Sequence, residues 1–482
     1  MKQLKKHIPL FLALWMSIAG CELIDPTEVI NPNLTEEAIL NTANPMAPWV
    51  RGVRRQLALV TNEHVVLTEI GSDNYQNVMT FYNQNLDRLT IRPVDTDINA
   101  FQRELHRLRE MADYGLNTVS EADPATTPAQ LAELNFLKGY SFLLSGEYFT
   151  FLPMEPGGEA VGWEEFLQAA ITAFTLAENS PDATMSAAAS LAKARAHYKL
   201  GNKSQAVNFA QTAIAKSPTL VYQVQFDQAQ TPLNRAQTAM YDRGNFDDLQ
   251  VLPRLDFLDP KYYFRGASEA SPVSLLKMEE AHLILAEALV SDGNLAGAET
   301  TLKGLVQLVN DRPTSTFNND QQDRTQNNPG SRPDNSAVVV AASAQDSFRG
   351  GLVLDRKSGN ITVPTISGTS VSPQMIEEAM ESEQAALELI YLLRQEIFIG
   401  EGRRLSDMGV RLVISEIEYL ANENIDEDHP GTIPVIPPFI QSISTEIDAF
   451  SYDAEAGTSV ITHNINRIIS TNRNNQWVVP FY

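Results

Sequence analysis

Within seven positions, the stretch "EGRRLSD" at 401–407 holds two carboxylates and two guanidinium groups: Glu401, Arg403, Arg404 and Asp407. Spacings of three and four residues let such groups pair along one face of a helix. A carboxylate pair could divide acid and base roles between its members. An ion-pair network that fixes stacked helices uses the same residue types, and this is the preferred reading, because structural networks often imitate sites. The aromatic residues suggest different chemistry. Tyr75, Phe81 and Tyr82 lie among "SDNYQN" and "TFYNQN", and Tyr262 and Tyr263 lie in "DPKYYF". Rings of this kind stack on the apolar faces of sugars, while neighbouring Asn, Gln, Asp and Arg serve the hydroxyls. Each ring taken singly is as well explained by packing. As a group, the loops at 72–85 and 259–265 are the candidate ligand surface.

Other chemistries find little support. His7, His64, His106, His197, His282, His429 and His463 form no H-E-x-x-H pattern. No Cys/His metal cluster is available. The segment "NENIDEDHPG" at 422–431 alternates oxygen ligands but lacks the glycine and closing glutamate of a calcium loop at the required positions. There is no G-x-S-x-G element and no P-loop. The expectation is no catalytic site, no cofactor and no metal.

The chain's single cysteine, Cys21, stands at the end of "SIAGC". Lys2, Lys5 and Lys6 precede an apolar run from Ile8 to Met16, and small residues follow, which is the anatomy of a secretory signal. The run is too short to span a bilayer, which takes about 20 apolar residues. Ile18-Ala19-Gly20-Cys21 resembles the bacterial lipobox, in which the thiol is lipidated and the chain is cut before it. Residues 1–20 are then a cleaved lipoprotein signal peptide. Several acyl chains, at about 0.8 kcal/mol per buried CH₂, make a firm anchor. The remaining chain has no disulfide and must rely on its core.

The net charge of the full chain is −24. Without the first twenty residues, 33 Lys and Arg face 60 Asp and Glu, a net of −27. Such a chain repels nucleic acid and anionic lipid surfaces over long range. A hydrophobic content of 43% argues against general disorder.

The elements that must position these residues are mostly helical. After a polar tether at about 21–37, helical patterns recur near 131–181, 186–218, 271–313 and 381–412. In 186–218, Gly201-Asn202 makes a turn between two helices. Ala194, Ala206, Ala213 and Pro218 fall at the small and proline positions of a tetratricopeptide repeat. In 271–313, Leu275, Met278, His282, Leu285 and Leu289 follow one helical stripe, with His282 read as a core histidine. Ala298, Leu302, Leu305 and Val309 form a second stripe beyond the turn at Asp292-Gly293-Asn294. Residues 313–336 read as a loop, 337–373 as short strands, and helix signals fade after 430. Stacked hairpins of this class build concave binding surfaces.

The lipobox, the helical repeats, "AEAL" at 286–289 and "RQEIFIGEGRRLSDM" at 394–408 together resemble the SusD/RagB lipoproteins. In that family the late helix carries Glu-Gly-x-Arg-x-x-Asp-Leu; here these are Glu401, Gly402, Arg404 and Asp407, with Met408 for Leu. The resemblance covers nearly the entire chain. It implies a mainly α fold of tetratricopeptide-like hairpins stacked as a right-handed superhelix, with long loops and a few short strands, and a single SusD-like domain over 21–482. It further implies a cell-surface outer-membrane lipoprotein that captures an oligosaccharide or a peptide for a SusC-like TonB-dependent barrel. A lipid-anchored scaffold whose concave face binds another envelope protein is the alternative. An anchored hydrolase is disfavoured by the missing catalytic patterns.

Overall fold

The computed structural model of the chain describes residue 40 and residues 42–78, 83–227, 232–240, 249–259, 261, 270–318, 330–356 and 359–482. Cys21, Phe81, Tyr82, Tyr262 and Tyr263 lie outside the described residues, as do the signal segment and the tether.

Local chemistry sets the helix boundaries. Helix α1 (Met46–Ile70) is followed by strand β1 (Tyr75–Asn77), a short α2 (Gln84–Asp87) and α3 (Thr96–Tyr114). The Asp95 carboxylate caps α3 by accepting from the amides of Asp97 and Ile98. Helix α4 (Pro128–Tyr148) opens with a reciprocal Thr127–Gln130 capping box and proline in its first turn. The Pro/Gly-rich stretch after it folds back as an antiparallel hairpin of β2 (Phe151–Pro153) and β3 (Ala160–Gly162), leading into α5 (Trp163–Ala177). Helices α6 (Ala183–Lys199) and α7 (Lys203–Lys216) are separated by Gly201 at φ +71°, a left-handed position that favours glycine. Ala194, Ala206, Ala210 and Ala213 are fully buried where the two helices cross. A bulkier side chain there would overpack the crossing, at about 1–3 kcal/mol.

Strand β4 (Val221–Val224), the short helix α8 (Arg235–Met240), β5 (Leu249–Val251) and a 3₁₀ turn at Pro253–Leu258 lead to β6 (Val273–Lys277). The hairpin of α9 (Glu279–Ser291) and α10 (Leu295–Asn310) follows. Then come β7 (Thr314–Asn318), β8 (Val339–Ala341), β9 (Asn360–Pro364), α11 (Pro373–Ala379), α12 (Glu383–Ile397), the one-turn α13 (Arg404–Asp407) and α14 (Glu416–Ala421). Strands β10 (Phe450–Asp453) and β11 (Thr458–Ile461) and helix α15 (Ile465–Thr471) follow towards the end of the chain. Neighbouring helices pack in series, α4 on α5, α5 on α6, α6 on α7, α7 on α9 and α9 on α10, with α12 crossing α9 and α15 crossing α12. The strands form small sheets of two or three members. The architecture is mainly α, built from stacked helical hairpins.

Several sequence expectations are corrected. Leu275 lies in strand β6, whose five residues are all buried, and α9 begins only after Met278. On α9, His282, Leu285 and Leu289 form the half-buried face, while Ala281, Ile284, Ala288 and Val290 are buried. A helix covered on nearly every side carries no polar face to set the phase of an apolar stripe. The second stripe is as expected: Ala298, Leu302, Leu305 and Val309 are all buried. The segment 394–408, expected to carry its charges on one helix face, is not one helix. Gly400, Gly402 and Gly409, at φ +71°, +72° and +76°, break the chain into α12, a loop and α13. The polar segment after 313 opens with β7, which pairs antiparallel with β9. Beyond residue 430, α15 forms against α12 because Asn464 caps it and Ile465 and Ile469 are buried.

Candidate functional site

Strands β1 and β5 pair antiparallel with Tyr75 opposite Val251 and Gln76 opposite Gln250. Side chains alternate along a strand, so the two members of a register pair share a face. Tyr75 and Val251 enter the core, with Tyr75 only 2% exposed. Tyr75 is thus a packing residue and not a stacking platform. Gln76 and Gln250 instead border a cleft of about 370 Å³. Asp87 and Arg88 join them from the end of α2, Ser331 and Arg332 from the chain before β8, and Thr445 and Asp448 from the chain before β10. The volume lies in the range of small-ligand pockets, about 300–1,000 Å³.

Polar groups dominate this cleft, and they are not all satisfied. The Arg332 guanidinium donates to Gln250 Oε1 at 2.6 Å and to the Val251 carbonyl oxygen. That bond fixes which end of the Gln250 amide is oxygen. Its Nε2 is left buried with no acceptor among the described residues. An unmet buried donor costs about 1–3 kcal/mol, which an incoming acceptor would recover. Burial, then the neighbouring Asp448, pushes the Asp87 carboxyl up to about 7. Burial also pushes Asp448 up to about 6, against the pull of Arg332. At neutral pH the pair can therefore both donate and accept hydrogen bonds. Gln76, Gln250, Arg88, Ser331 and Thr445 add further donors and acceptors. The chemistry fits a polyhydroxylated ligand held by many hydrogen bonds.

The charged residues of "EGRRLSD" are placed elsewhere and differently. They do not pair with one another along a helix face, because Gly400 and Gly402 hold Glu401 and Arg403 in a loop. Each reaches a distant partner in the interior. Glu401 Oε1 accepts from Lys261 Nζ at 2.5 Å and Lys277 Nζ at 2.7 Å. Both lysines also donate to backbone carbonyls, of Ile399 and Ile397 respectively. Arg403 donates to Glu280 at 3.0 Å and to the Leu275 carbonyl at 2.9 Å. Arg404 forms a two-pronged pair with Asp73, with Nη2 to Oδ2 at 2.9 Å. Asp407 accepts both prongs of Arg394, at 2.7 and 2.9 Å. Burial disfavours the Asp407 carboxylate, but Arg394 and Lys199 together hold its pKa below the ordinary value. Glu147 and Arg195 extend this buried belt with a further two-pronged pair. The loop itself is pinned: Gly402 donates its amide to Glu69 at 3.0 Å and accepts at its carbonyl from the Tyr148 hydroxyl.

No family model matches the chain, and no curated protein matches it. Solved structures do. A SusD superfamily protein from Bacteroides thetaiotaomicron superposes with a TM-score of 0.55 at 11% identity, over 80% of this chain and 98% of that one. A SusD-like protein from Bacteroides fragilis gives 0.54 at 10% identity, over 81% and 98%. A SusD-like carbohydrate-binding protein from Bacteroides vulgatus gives 0.50 at 12% identity, over 75% and 82%.

The fold is SusD-like.

Within this SusD-like fold, the loop between β1 and α2 leaves the cleft at Val78, and Phe81 and Tyr82 lie in its undescribed part. The second expected ligand loop begins at Asp259 and Lys261, both buried, and Tyr262 and Tyr263 are not described. Trp49 donates its Nε1 to the Met111 carbonyl and packs on Tyr114, so it belongs to the helix stack. Asp87, Arg88, Gln250, Arg332 and Asp448 escaped the sequence reading. Asp87 and Arg88 lie just beyond the 72–85 window, but nothing local ties Gln250, Arg332 and Asp448 to it. Among the described residues, no group of three or more His, Cys, Asp or Glu is placed to hold a metal ion. No helix among them is long and apolar enough to cross a membrane.

Proposed function

We propose that the protein is a non-catalytic, lipid-anchored binding protein of the outer-membrane surface. It captures a glycan in the cleft between β1, α2 and β5 and delivers it to a SusC-like TonB-dependent barrel. The observation that carries the ligand assignment is the buried Gln250 Nε2, without an acceptor among the described residues, beside two carboxyls raised toward neutrality, in a cleft with ligand dimensions. The SusD-like fold supports a glycan in particular, since one structure it resembles is named a carbohydrate-binding protein. A net charge of −27 without the first twenty residues favours a neutral or cationic ligand over an anionic one at long range. Phe81, Tyr82, Tyr262 and Tyr263, all outside the described residues, are the proposed stacking residues. Cys21 carries the lipid.

Calorimetry against neutral oligosaccharides and size-matched oligopeptides tests the ligand. At least one oligosaccharide should bind with roughly micromolar or weaker affinity, because a shallow site spends much of its gain on ordering the ligand. Product analysis after long incubation should show the sugar uncleaved. If no sugar or peptide binds and affinity capture recovers an envelope protein other than a barrel, the scaffold alternative replaces this reading. Palmitate labelling should be lost in Cys21→Ala, since no second thiol exists. Label retained on that variant would remove the anchor from the proposal.

A further inference from the structure

A second cavity, of about 400 Å³, lies away from the polar cleft, between the 3₁₀ turn at Pro253–Leu258, β8, α11, α12 and the first turn of α15. Its walls are largely apolar, from Val340, Leu352, Met375, Leu389 and Leu392. Most of the polar groups bordering it are already engaged. Arg349 Nη2 donates to the Ser370 carbonyl and hydroxyl at 2.8 and 3.0 Å. Glu396 accepts from Thr369 and from the amide and hydroxyl of Ser370. Asp346 and Glu388 both pair with Arg467.

Arg254 differs. It lines the cavity and is only 6% exposed, yet its guanidinium donates no hydrogen bond to any described residue and its Nη1 is wholly buried. The two acids that act on it, Asp73 and Glu396, are hydrogen-bonded elsewhere, Asp73 to Arg404 and Gln395 and Glu396 to Thr369 and Ser370. Burial accordingly depresses the Arg254 pKa. A buried cation without a hydrogen-bonded partner is among the least favourable arrangements a fold can carry.

Asn466, on the same cavity, is also half-satisfied, and its orientation can be deduced. The Asp73 carboxylate only accepts, so the Gln395 amide must turn Nε2 toward it, at 2.9 Å. Gln395 Oε1 is then the atom facing Asn466, which must donate with Nδ2, at 3.0 Å. Asn466 Oδ1 is left buried with no donor among the described residues. The cavity thus holds an unmet cationic donor, an unmet acceptor and an apolar wall.

We propose that this cavity is a second ligand site, for a small carboxylic acid with an apolar body and a hydroxyl or amino donor. The carboxylate pairs with Arg254, the donor serves Asn466 Oδ1, and the apolar body lies against Leu389, Leu392 and Met375. The site is independent of the glycan cleft, since neither Arg254 nor Asn466 borders that cleft.

Phenyllactate, which has all three features, is the probe, with its neutral amide, phenyllactamide, as control. Calorimetry on the full chain should show the acid binding at least about tenfold more tightly than the amide, as a charge-assisted hydrogen bond requires. In Arg254→Gln that ratio should fall to about one, while oligosaccharide binding stays as in wild type. Ligand-free Arg254→Met should melt no lower than wild type, because an uncompensated charge is removed. Three results would each overturn the site: no binding of the acid to wild type, an acid-to-amide ratio unchanged in Arg254→Gln, or a clear fall in the melting temperature of Arg254→Met, which would make Arg254 a structural residue.

Discussion

The belt around Glu401–Asp407 and the cleft around Asp87–Asp448 use the same residue types to opposite ends. In the belt, Arg404 meets Asp73, Arg394 meets Asp407, and Lys261 and Lys277 share Glu401. These charges are buried and find partners at short range. In the cleft, the Asp448 charge raises the Asp87 carboxyl, Gln250 Nε2 meets no acceptor among the described residues, and the walls are partly open. A closed network fixes the positions of distant segments. A cleft with unspent hydrogen-bonding capacity is available to a ligand. Charge density alone, which drew the sequence reading to residues 401–407, does not separate the two; partner satisfaction does.

The sharpest way to break this contrast is to open the belt. Arg404→Ala strands Asp73 in the interior, and Asp407→Ala strands Arg394. Each should cost about 3–5 kcal/mol in urea or guanidinium unfolding, with glycan affinity per folded molecule unchanged. An Asp407→Ala protein of wild-type stability that no longer binds ligand would move the belt from structure to site.

Next in size is the loop that holds the belt. Gly402 sits at φ +72°, and a Cβ there would lie 2.7 Å from His64 Cε1. Gly402→Ala should therefore cost at least about 1–3 kcal/mol, from backbone strain alone. Gly457→Ala is a control at φ +64° with no atom within 4 Å, so the excess loss at Gly402 measures the clash. Equal losses at the two positions would mean the belt tolerates displacement of its loop.

The cleft should respond in binding and not in folding. Asp87→Asn removes one hydrogen-bond acceptor charge and should weaken oligosaccharide binding about tenfold, the cost of roughly one good hydrogen bond. Its unfolding midpoint should hold or rise, because a partly buried acid is made neutral. A destabilised variant with full affinity would reverse the roles assigned to the two regions.

The smallest effect is in the pH dependence, where the regions differ in sign. Asp87 titrates near 7 in the fold, above its ordinary 3.8. Its contribution to stability is full below about 3.8 and is lost as the pH rises to about 7. Asp407 is depressed, so its contribution is present above about 3.8 and is lost as the pH falls through its folded value. Glu69, Glu280 and Glu287, also raised to about 7 by burial, act in the same sense, whereas His64 and His106, lowered to about 3 by burial, favour the fold as the pH rises. Measured against that wild-type profile, Asp87→Asn should gain stability relative to wild type as the pH goes from 4 to 7. A variant curve parallel to wild type over pH 4–7 would place the Asp87 carboxyl at an ordinary pKa.

Much of the helical scaffold could be read locally. The small residues Ala194, Ala206 and Ala213 predict a close helix crossing, and the structure buries all three between α6 and α7. The turn at Gly201 is likewise a local event, since a left-handed residue ends one helix before Lys203 starts the next. Phase was harder in α9, which is enclosed on most sides and gives no polar face to orient it. Gly400 and Gly402 were visible in the sequence, but the 3-4 spacing of the surrounding charges masked them as breaks.

The sequence by itself determined where helices start, turn and stop, and how much apolar surface they must bury. Those outcomes depend on groups within about four residues of one another, the reach of a capping bond or a helical turn. Only the tertiary structure decided what the polar residues do. Arg404 and Asp73 are separated by 331 positions, and Arg332 and Gln250 by 82. Tyr75 and Gln76 are adjacent, yet one enters the core and the other the cleft, because β1 pairs with β5 in the register that sets Gln76 against Gln250. Whether a charge is paired, a donor unmet or a ring exposed depends on which distant segment packs against it, and local sequence carries no record of that partner.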